Sequence, residues 1–290
     1  MDNNNSELAF TGERLMTEIY EYWTIEHLHR YAIALSLVEN KVVIDIASGE
    51  GYGSNLLANK AASVTGIDIS KEAIAHAQQK YKKDNLAYLH GSATQIPLED
   101  HSIDVVVSFE TIEHLDQHEE MMTEIKRVLK KDGVLIISSP DKKYYSDIPG
   151  YQNPYHVKEL YSDEFNSLVS KYFNNVIPLN QKTIVGSVVF QANINKPGIT
   201  EFSGNYTGID SKEALDSPVY NICIASDETL NKVIENSIFA NADMFEKYSN
   251  FKKDNEALLH ENNLLRKQLN SPAYRFIRLL KSPGKLFKRK

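Results

Sequence analysis

The segment Val42-Val43-Ile44-Asp45-Ile46-Ala47-Ser48-Gly49-Glu50-Gly51-Tyr52-Gly53 constrains this chain more than any other. Five apolar or β-branched positions without polar alternation predict a parallel strand covered on both faces. Three glycines at alternate positions come directly after it, where backbone must turn sharply and let another group come close. One acid, Asp45, sits inside the strand, four residues before the first glycine.

Two nucleotide-type turns compete for this spacing. A dinucleotide fingerprint requires G-x-G-x-x-G; here the third glycine comes one residue early and Ser54 holds its place. The spacing D-x-A-x-G-x-G-x-G instead resembles motif I of the class I S-adenosylmethionine (SAM) methyltransferases. The residues downstream of the turn agree with that resemblance. Ala62 to Asp68 reads as a second strand ending in an acid, 19 residues after Gly49. An acid there can accept both ribose hydroxyls. Ser70 is placed to cap a helix, with Glu72 close behind. Leu86 to Leu89 reads as a third strand. Gly91 to Leu98, then Ile103 to Ser108, resemble the family's adenine loop and fourth strand. Phe109-Glu110-Thr111-Ile112-Glu113-His114-Leu115 resembles its E-x-x-E-H-L segment. A helix from about Gln117 to Lys131 is expected to end in a basic turn capped by Gly133, before a fifth strand, Val134 to Ile137.

The resemblance implies an α/β fold: a Rossmann-like seven-stranded SAM methyltransferase sheet with helices on both faces. It implies SAM as cofactor, held by Asp45, Ala47, Gly49, Gly51, Asp68, Ile69, Ser92, Ala93 and Phe109. Ser92 departs from the family, which often has an acid at that place. Adenine recognition is therefore expected from backbone groups around Ala93. Arg30, on an N-terminal helix read from Glu7 to about Val38, is expected to meet the SAM carboxylate. The aromatics Tyr20, Trp23 and Tyr31 on that helix either shape an acceptor pocket or pack on the sheet.

Beyond the fifth strand, Pro140 to Lys158 is polar and aromatic and lies at the strands' C-terminal edge, where open α/β sheets bind ligands. A helix is expected at Ser162–Tyr172, and two closing strands at Thr183–Phe190 and Val219–Ala225. The polar insert between them, Asn193 to Pro218, is read as a substrate lid or a loop. Transfer of a methyl group to a hydroxyl benefits from a base. His156 is the first candidate, as a group titrating near neutral pH; His114 is second and Glu113 third. No set of residues has metal-ligand spacing in the sequence, although Asp141 could contribute to a magnesium site.

From Asp227 onward Met244, Phe251, Leu258 and Leu265 recur every seven residues, paired with Tyr248, Asn255, Asn262 and Leu269. This is a heptad seam with asparagines that set register, and it predicts a coiled coil and a homo-oligomer; the alternative is one helix folded back on the domain. Residues 274–290 hold seven Lys or Arg and no acid, interleaved with Phe276, Ile277, Leu279, Leu280, Leu286 and Phe287. That composition fits a basic amphipathic tail on an anionic membrane surface, against the alternative of a solvated tail. The expected organisation is thus 1–40 a helical cap, 41–226 the methyltransferase domain, 227–270 the coiled-coil helix, and 271–290 the tail.

Formal charge is −7 over the chain, so the other 273 residues carry −14. An acidic body repels phosphates and argues against nucleic acid as the main substrate, so no nucleic-acid partner is expected. The single cysteine, Cys223, excludes an internal disulfide and fits a reducing cytoplasm. The start is polar without a signal-peptide pattern, and no apolar run reaches a membrane span. Together with Gly12-Glu13-Arg14, His27 to Tyr31 and Asn153 to Leu160, the C-terminal pattern resembles methyltransferases of bacterial O-antigen and surface-polysaccharide synthesis. The resemblance implies O-methylation of a sugar on a lipid-linked glycan or nucleotide sugar, at the inner face of the cell membrane. The alternatives are a small-molecule or quinone-type methyltransferase, and a scaffold that tethers glycosyltransferases.

Overall fold

In the computed structural model the described residues are 15, 17, 22–184, 201–205, 208–212, 215, 217–230, 236–239, 258, 262 and 264. Two compact units divide the chain, residues 1–239 and 240–290. In the second, the described residues Leu258, Asn262 and Leu264 are helical; the heptad seam and the basic tail otherwise lie outside the described residues.

The first unit is built on a seven-stranded sheet. Its strands are β1 (Val42–Ile46), β2 (Ser63–Asp68), β3 (Leu86–His90), β4 (Ile103–Ser108), β5 (Leu129–Pro140), β6 (Asn175–Gln181) and β9 (Tyr220–Ser226). The spatial order is β3-β2-β1-β4-β5-β9-β6. The first five are parallel, and β9 runs antiparallel to both neighbours. The order reverses between β1 and β4, so the ligand crevice of an open α/β sheet opens beyond Ile46 and Ser108.

Helices α1 (Tyr22–Leu35), α2 (Tyr52–Leu57), α3 (Lys71–Lys80), α4 (His118–Val128) and α5 (Ser162–Tyr172) accompany the sheet. The uninterrupted apolar strands have a cause: each buries both faces. Ile44 and Ile46 join one cluster with Met121, Ile125 and Phe165, while Val43 joins the other with Tyr31, Ala34 and Leu57. Helix α4 is amphipathic to match, burying Met121, Met122, Ile125 and Val128.

Four expectations are corrected. The N-terminal helix read from Glu7 to about Val38 is Tyr22–Leu35 among the described residues, and Leu15 and Thr17 are not helical. Helix α4 ends at Val128, not near Lys131, and Gly133 does not adopt a left-handed cap conformation. Its last carbonyls, of Arg127 and Val128, instead accept from the amides of His101 and Ser102. The Lys-Lys-Asp-Gly segment is freed to extend, and Leu129 pairs with Ile103 before a register shift brings Val134 opposite Val105. The first closing strand is Asn175–Gln181 rather than Thr183–Phe190: Thr183 and Ile184 are in no strand, and 185–190 lie outside the described residues. Pro178 conceals this strand in the sequence, yet it is tolerated because β6 is the sheet's edge. The insert expected as a lid or loop carries a two-stranded antiparallel hairpin, β7 (Glu201–Asn205) with β8 (Gly208–Lys212).

Candidate functional site

The glycine turn is held from three sides. Ala47, Gly49 and Gly51 have φ of 58°, 54° and 95°. A Cβ on Gly51 would stand 2.8 Å from both the Ala77 Cβ and the Tyr88 hydroxyl, and that hydroxyl donates to the Gly51 carbonyl at 2.7 Å. Gly51 thus answers to two constraints, a left-handed backbone and α3 pressed close. Glu50, fully buried between the glycines, is paired with Lys80 and accepts from the Thr17 amide and hydroxyl at 3.0 and 2.9 Å. Glu50 is not legible as a site residue in the sequence, because an acid between two glycines carries no pattern of its own.

Asp45 lies under the turn. Both of its oxygens accept from the Tyr31 hydroxyl, at 3.2 and 3.3 Å, and Oδ2 also accepts from Ser54 at 2.7 Å. Burial pushes its carboxyl up to about 7, although both hydroxyls pull it down. Ser54, standing where a dinucleotide turn has glycine, is therefore the partner of the acid inside the strand. The two departures from that fingerprint have one structural cause.

Asp68, at the end of β2, accepts from the Gly49 amide through Oδ2 and the Ser70 amide through Oδ1, each at 2.8 Å. One carboxylate fixes both the turn and the start of α3, whose cap is the Ser70 hydroxyl accepting from Ala73 N. Next to it Ile69 is 71% exposed. It lines a cleft of about 690 Å³ with Gly91, Ser92, Gln95, Ile96 and Pro97. Ser92 spends its hydroxyl on Thr94, accepting from Thr94 N at 3.2 Å. Ala93 packs against the core instead of lining the cleft, and Phe109 is buried edge-on against Tyr31 at 5.1 Å.

Arg30 is buried on α1. Nη1 lies 3.1 Å from both Glu110 Oε1 and Gln181 Oε1, and the guanidinium stands 4.7 Å from the Tyr220 ring centre. Nε and Nη2 are buried and have no hydrogen bond among the described residues. Its contacts therefore run to the end of β4 and the closing strands, not to the glycine turn. Glu110, at φ 49°, is locked in turn by Ser138 at the end of β5.

The two candidate histidines come together. His114 is in the 3₁₀ turn Ile112–His114 after β4; His156 is in the loop before α5. The amides of Val157 and Lys158 both donate to the Glu113 carbonyl, which ties the loop to the turn. The imidazoles meet edge to face, centroids 5.1 Å apart. His156 Nδ1 stands 2.5 Å from Glu159 Oε1, and Tyr145 stacks on the ring at 5.3 Å. Glu159 escapes the sequence reading, although a carboxylate three residues after a histidine is the signal that could have found it. Asp141 is used structurally, accepting from Lys143 N at 2.9 Å and Asn221 Nδ2 at 3.2 Å. The Cys223 thiol, buried in β9, is pushed up to about 12 by burial, which removes it as a nucleophile.

This sheet order and this turn define a Rossmann-like fold of the methyltransferase type. Residues 44–137 match the family model described as "Methyltransferase domain". A "Probable S-adenosylmethionine-dependent methyltransferase" of Mycolicibacterium smegmatis is 35% identical over 169 residues, covering 57% of this chain and 64% of that protein. A fatty-acid O-methyltransferase of the same organism is 27% identical over 136 residues, 44% of this chain and 49% of that protein. The match thus spans less than two thirds of these relatives' own length. Among solved structures, the YcgJ protein from Bacillus subtilis is similar in fold, with a TM-score of 0.50 at 16% identity, covering 70% of this chain and all of that one.

Proposed function

We propose that this protein is a SAM-dependent methyltransferase that methylates an oxygen. The observation that carries the reading is the Asp68–Gly49 clamp at the sheet's reversal point, with the His114–His156 pair at the same strand edge. The residues fit the cofactor. Exposed Ile69 offers an apolar wall for adenine in the cleft, Asp68 keeps lone pairs for ribose hydroxyls, and Arg30 retains two buried nitrogens suited to a carboxylate. SAM bound there supplies an electrophilic methyl group. The chain's own part is to hold an acceptor hydroxyl in line and to receive its proton. The Glu159 carboxylate accepts from Nδ1–H of His156, so Nε2 carries the lone pair.

The acceptor is read as a sugar hydroxyl of a bacterial surface glycan, on the resemblance of the Asn153–Leu160 segment and of the C-terminal pattern. The sequence of 227–290 adds a homo-oligomer and an anionic membrane surface as proposed partners. Among the described residues no helix is long and apolar enough to cross a membrane. A second reading, an apolar acceptor such as a lipid or quinone, is favoured by the rim beside His156. There Ile148 and Val157 are 65% and 63% exposed, with Tyr151 and Tyr155 half exposed. Incubation with labelled SAM and two panels, glycan extracts and lipid or quinone acceptors, tests both. Label in the glycan alone supports the first and label in the lipid panel the second. SAM binding without transfer to either overturns the enzyme reading in favour of a scaffold.

A further inference from the structure

We infer that Glu113, His114 and His156 form a binding site for one divalent transition-metal ion. The carboxylate oxygens and imidazole nitrogens of these residues offer one ligand atom each, all within 4.8 Å of one another. Two imidazoles and a carboxylate are the donor set that first-row divalent ions favour when coordination positions are left open for a substrate.

Proximity alone would be weak; the tautomers strengthen it. A ligating histidine donates its other ring N–H to a carboxylate or a backbone carbonyl. Both imidazoles are held in that way. His114 Nδ1 lies 3.0 Å from the Tyr155 carbonyl, which can only accept, so Nδ1 carries a proton and the neutral ring has its lone pair on Nε2. His156 Nδ1 faces the Glu159 carboxylate, which also accepts from the Ser146 hydroxyl at 2.8 Å. At the other edge of the His156 ring, Nε2 is 3.0 Å from Asn153 Nδ2. The orientation of that amide is fixed independently, because Asn153 Oδ1 accepts from the Tyr155 amide at 3.0 Å. Its NH₂ therefore points at His156, and Nε2 is the acceptor. A bound cation takes the place of that amide hydrogen. Glu113 would supply the anionic donor once a cation is bound: its residue is 1% exposed and its Oε1 is 4.0 Å from His114 Nε2.

The backbone gives the three residues a common frame. Glu113 and His114 are adjacent in one turn, and the loop bearing His156 is pinned to the same Glu113 carbonyl by two amides. None of this is visible in the sequence, because 42 positions separate the two histidines.

The role of the cation, though not its site, rests on the methyltransferase reading. A divalent ion beside the donor would bind an acceptor hydroxyl and lower its pKa. An acceptor with a second oxygen close by, such as a vicinal diol, would fill two open positions. His156 then serves as a ligand and not as the base, and the proton of the acidified hydroxyl passes to solvent water.

The test uses the full chain, stripped with chelator and titrated with Mn²⁺ and with Co²⁺, while SAM affinity is measured in parallel by calorimetry. The expected result is one Mn²⁺ per chain. Co²⁺ should give a visible spectrum with two hyperfine-shifted exchangeable imidazole protons. Glu113→Gln, His114→Ala and His156→Ala should each weaken Mn²⁺ binding at least tenfold while SAM affinity changes little. Glu159→Gln, which alters only the positioning group, should weaken it roughly 10- to 100-fold. SAM binding with no stoichiometric cation overturns the site and leaves the methyltransferase reading standing. Cation binding that persists in the His114→Ala/His156→Ala double variant also overturns it, by placing the metal elsewhere. A cation bound with these dependences but no SAM affinity supports the site and sinks the methyltransferase reading. The wild-type Co²⁺ spectrum decides the question if a variant fails to fold.

Discussion

Asp68→Ala should damage two things that a sequence reading treats as one. Its carboxylate accepts from the amides of Gly49 and Ser70, each at 2.8 Å, in a residue only 8% exposed. A hydrogen bond to a charged group contributes about 1.5–3 kcal/mol. Both hydrogen bonds are only partly buried, so the amides partly rehydrate when the acceptor is removed and the summed loss in folding stability should be about 2–4 kcal/mol. Cofactor affinity is a separate loss. In the proposed SAM complex the ribose hydroxyls would donate to the remaining lone pairs of the same carboxylate, and the loss of those bonds should cost on the order of 1.5–3 kcal/mol, or roughly 10- to 150-fold in Kd. Urea unfolding reads the first quantity, provided the slope against denaturant is unchanged. Calorimetry below the unfolding transition reads the second. A folded Asp68→Ala protein with SAM affinity within about threefold of wild type would refute the ribose role. Unchanged stability would refute the clamp.

Asp45 binds a proton more tightly in the folded state, with its carboxyl raised to about 7 by burial, so wild-type stability should fall as pH rises from about 4 to 7 and level off above. Asp45→Asn should remove that fall, and at pH 8 should narrow or reverse any deficit seen at pH 4, by on the order of 2–4 kcal/mol; parallel stability–pH curves for both proteins would contradict this. Gly53→Ala places a Cβ 2.0 Å from the Tyr31 Cζ, in a ring already held between Tyr52 and Phe109, and should cost about 3 kcal/mol in urea unfolding. A cost under about 1 kcal/mol would mean that Tyr31 does not pack there. Cys223, buried and with its thiol pushed up to about 12, should resist iodoacetamide at pH 8 in native protein and react only after denaturation, as mass spectrometry would read.

The legible parts of this fold are those whose cause is local. The β1 strand announces itself because both its faces are covered, and the turn because Gly51 must be left-handed. Asp68 is legible through its spacing from Gly49, and Ser162–Tyr172 through its amphipathic pattern. The failures share a different cause: the deciding partner is remote in the chain. Lys130 to Gly133 has the chemistry of a helix end, yet His101 and Ser102 capture the last carbonyls of α4 and the segment extends. Pro178 argues against a strand until β6 is known to lie at the edge.

The same distinction separates the two halves of the site. The proposed cofactor side is one strand–turn–helix unit plus the end of the next strand, so its residues keep a fixed spacing that a sequence can display. The acceptor side is assembled across the sheet's edge from a turn after β4 and a loop after β5. Its central pair, His114 and His156, exists only once Val157 and Lys158 have bound the Glu113 carbonyl. Sequence could nominate each histidine as a proton acceptor on its own. Only the fold shows that Tyr155 and Glu159 each face the Nδ1 of one ring, with a nitrogen of each histidine within 4.8 Å of a Glu113 carboxylate oxygen. Two oriented imidazoles and a buried carboxyl group in one place offer a donor set for a cation more than for a single proton.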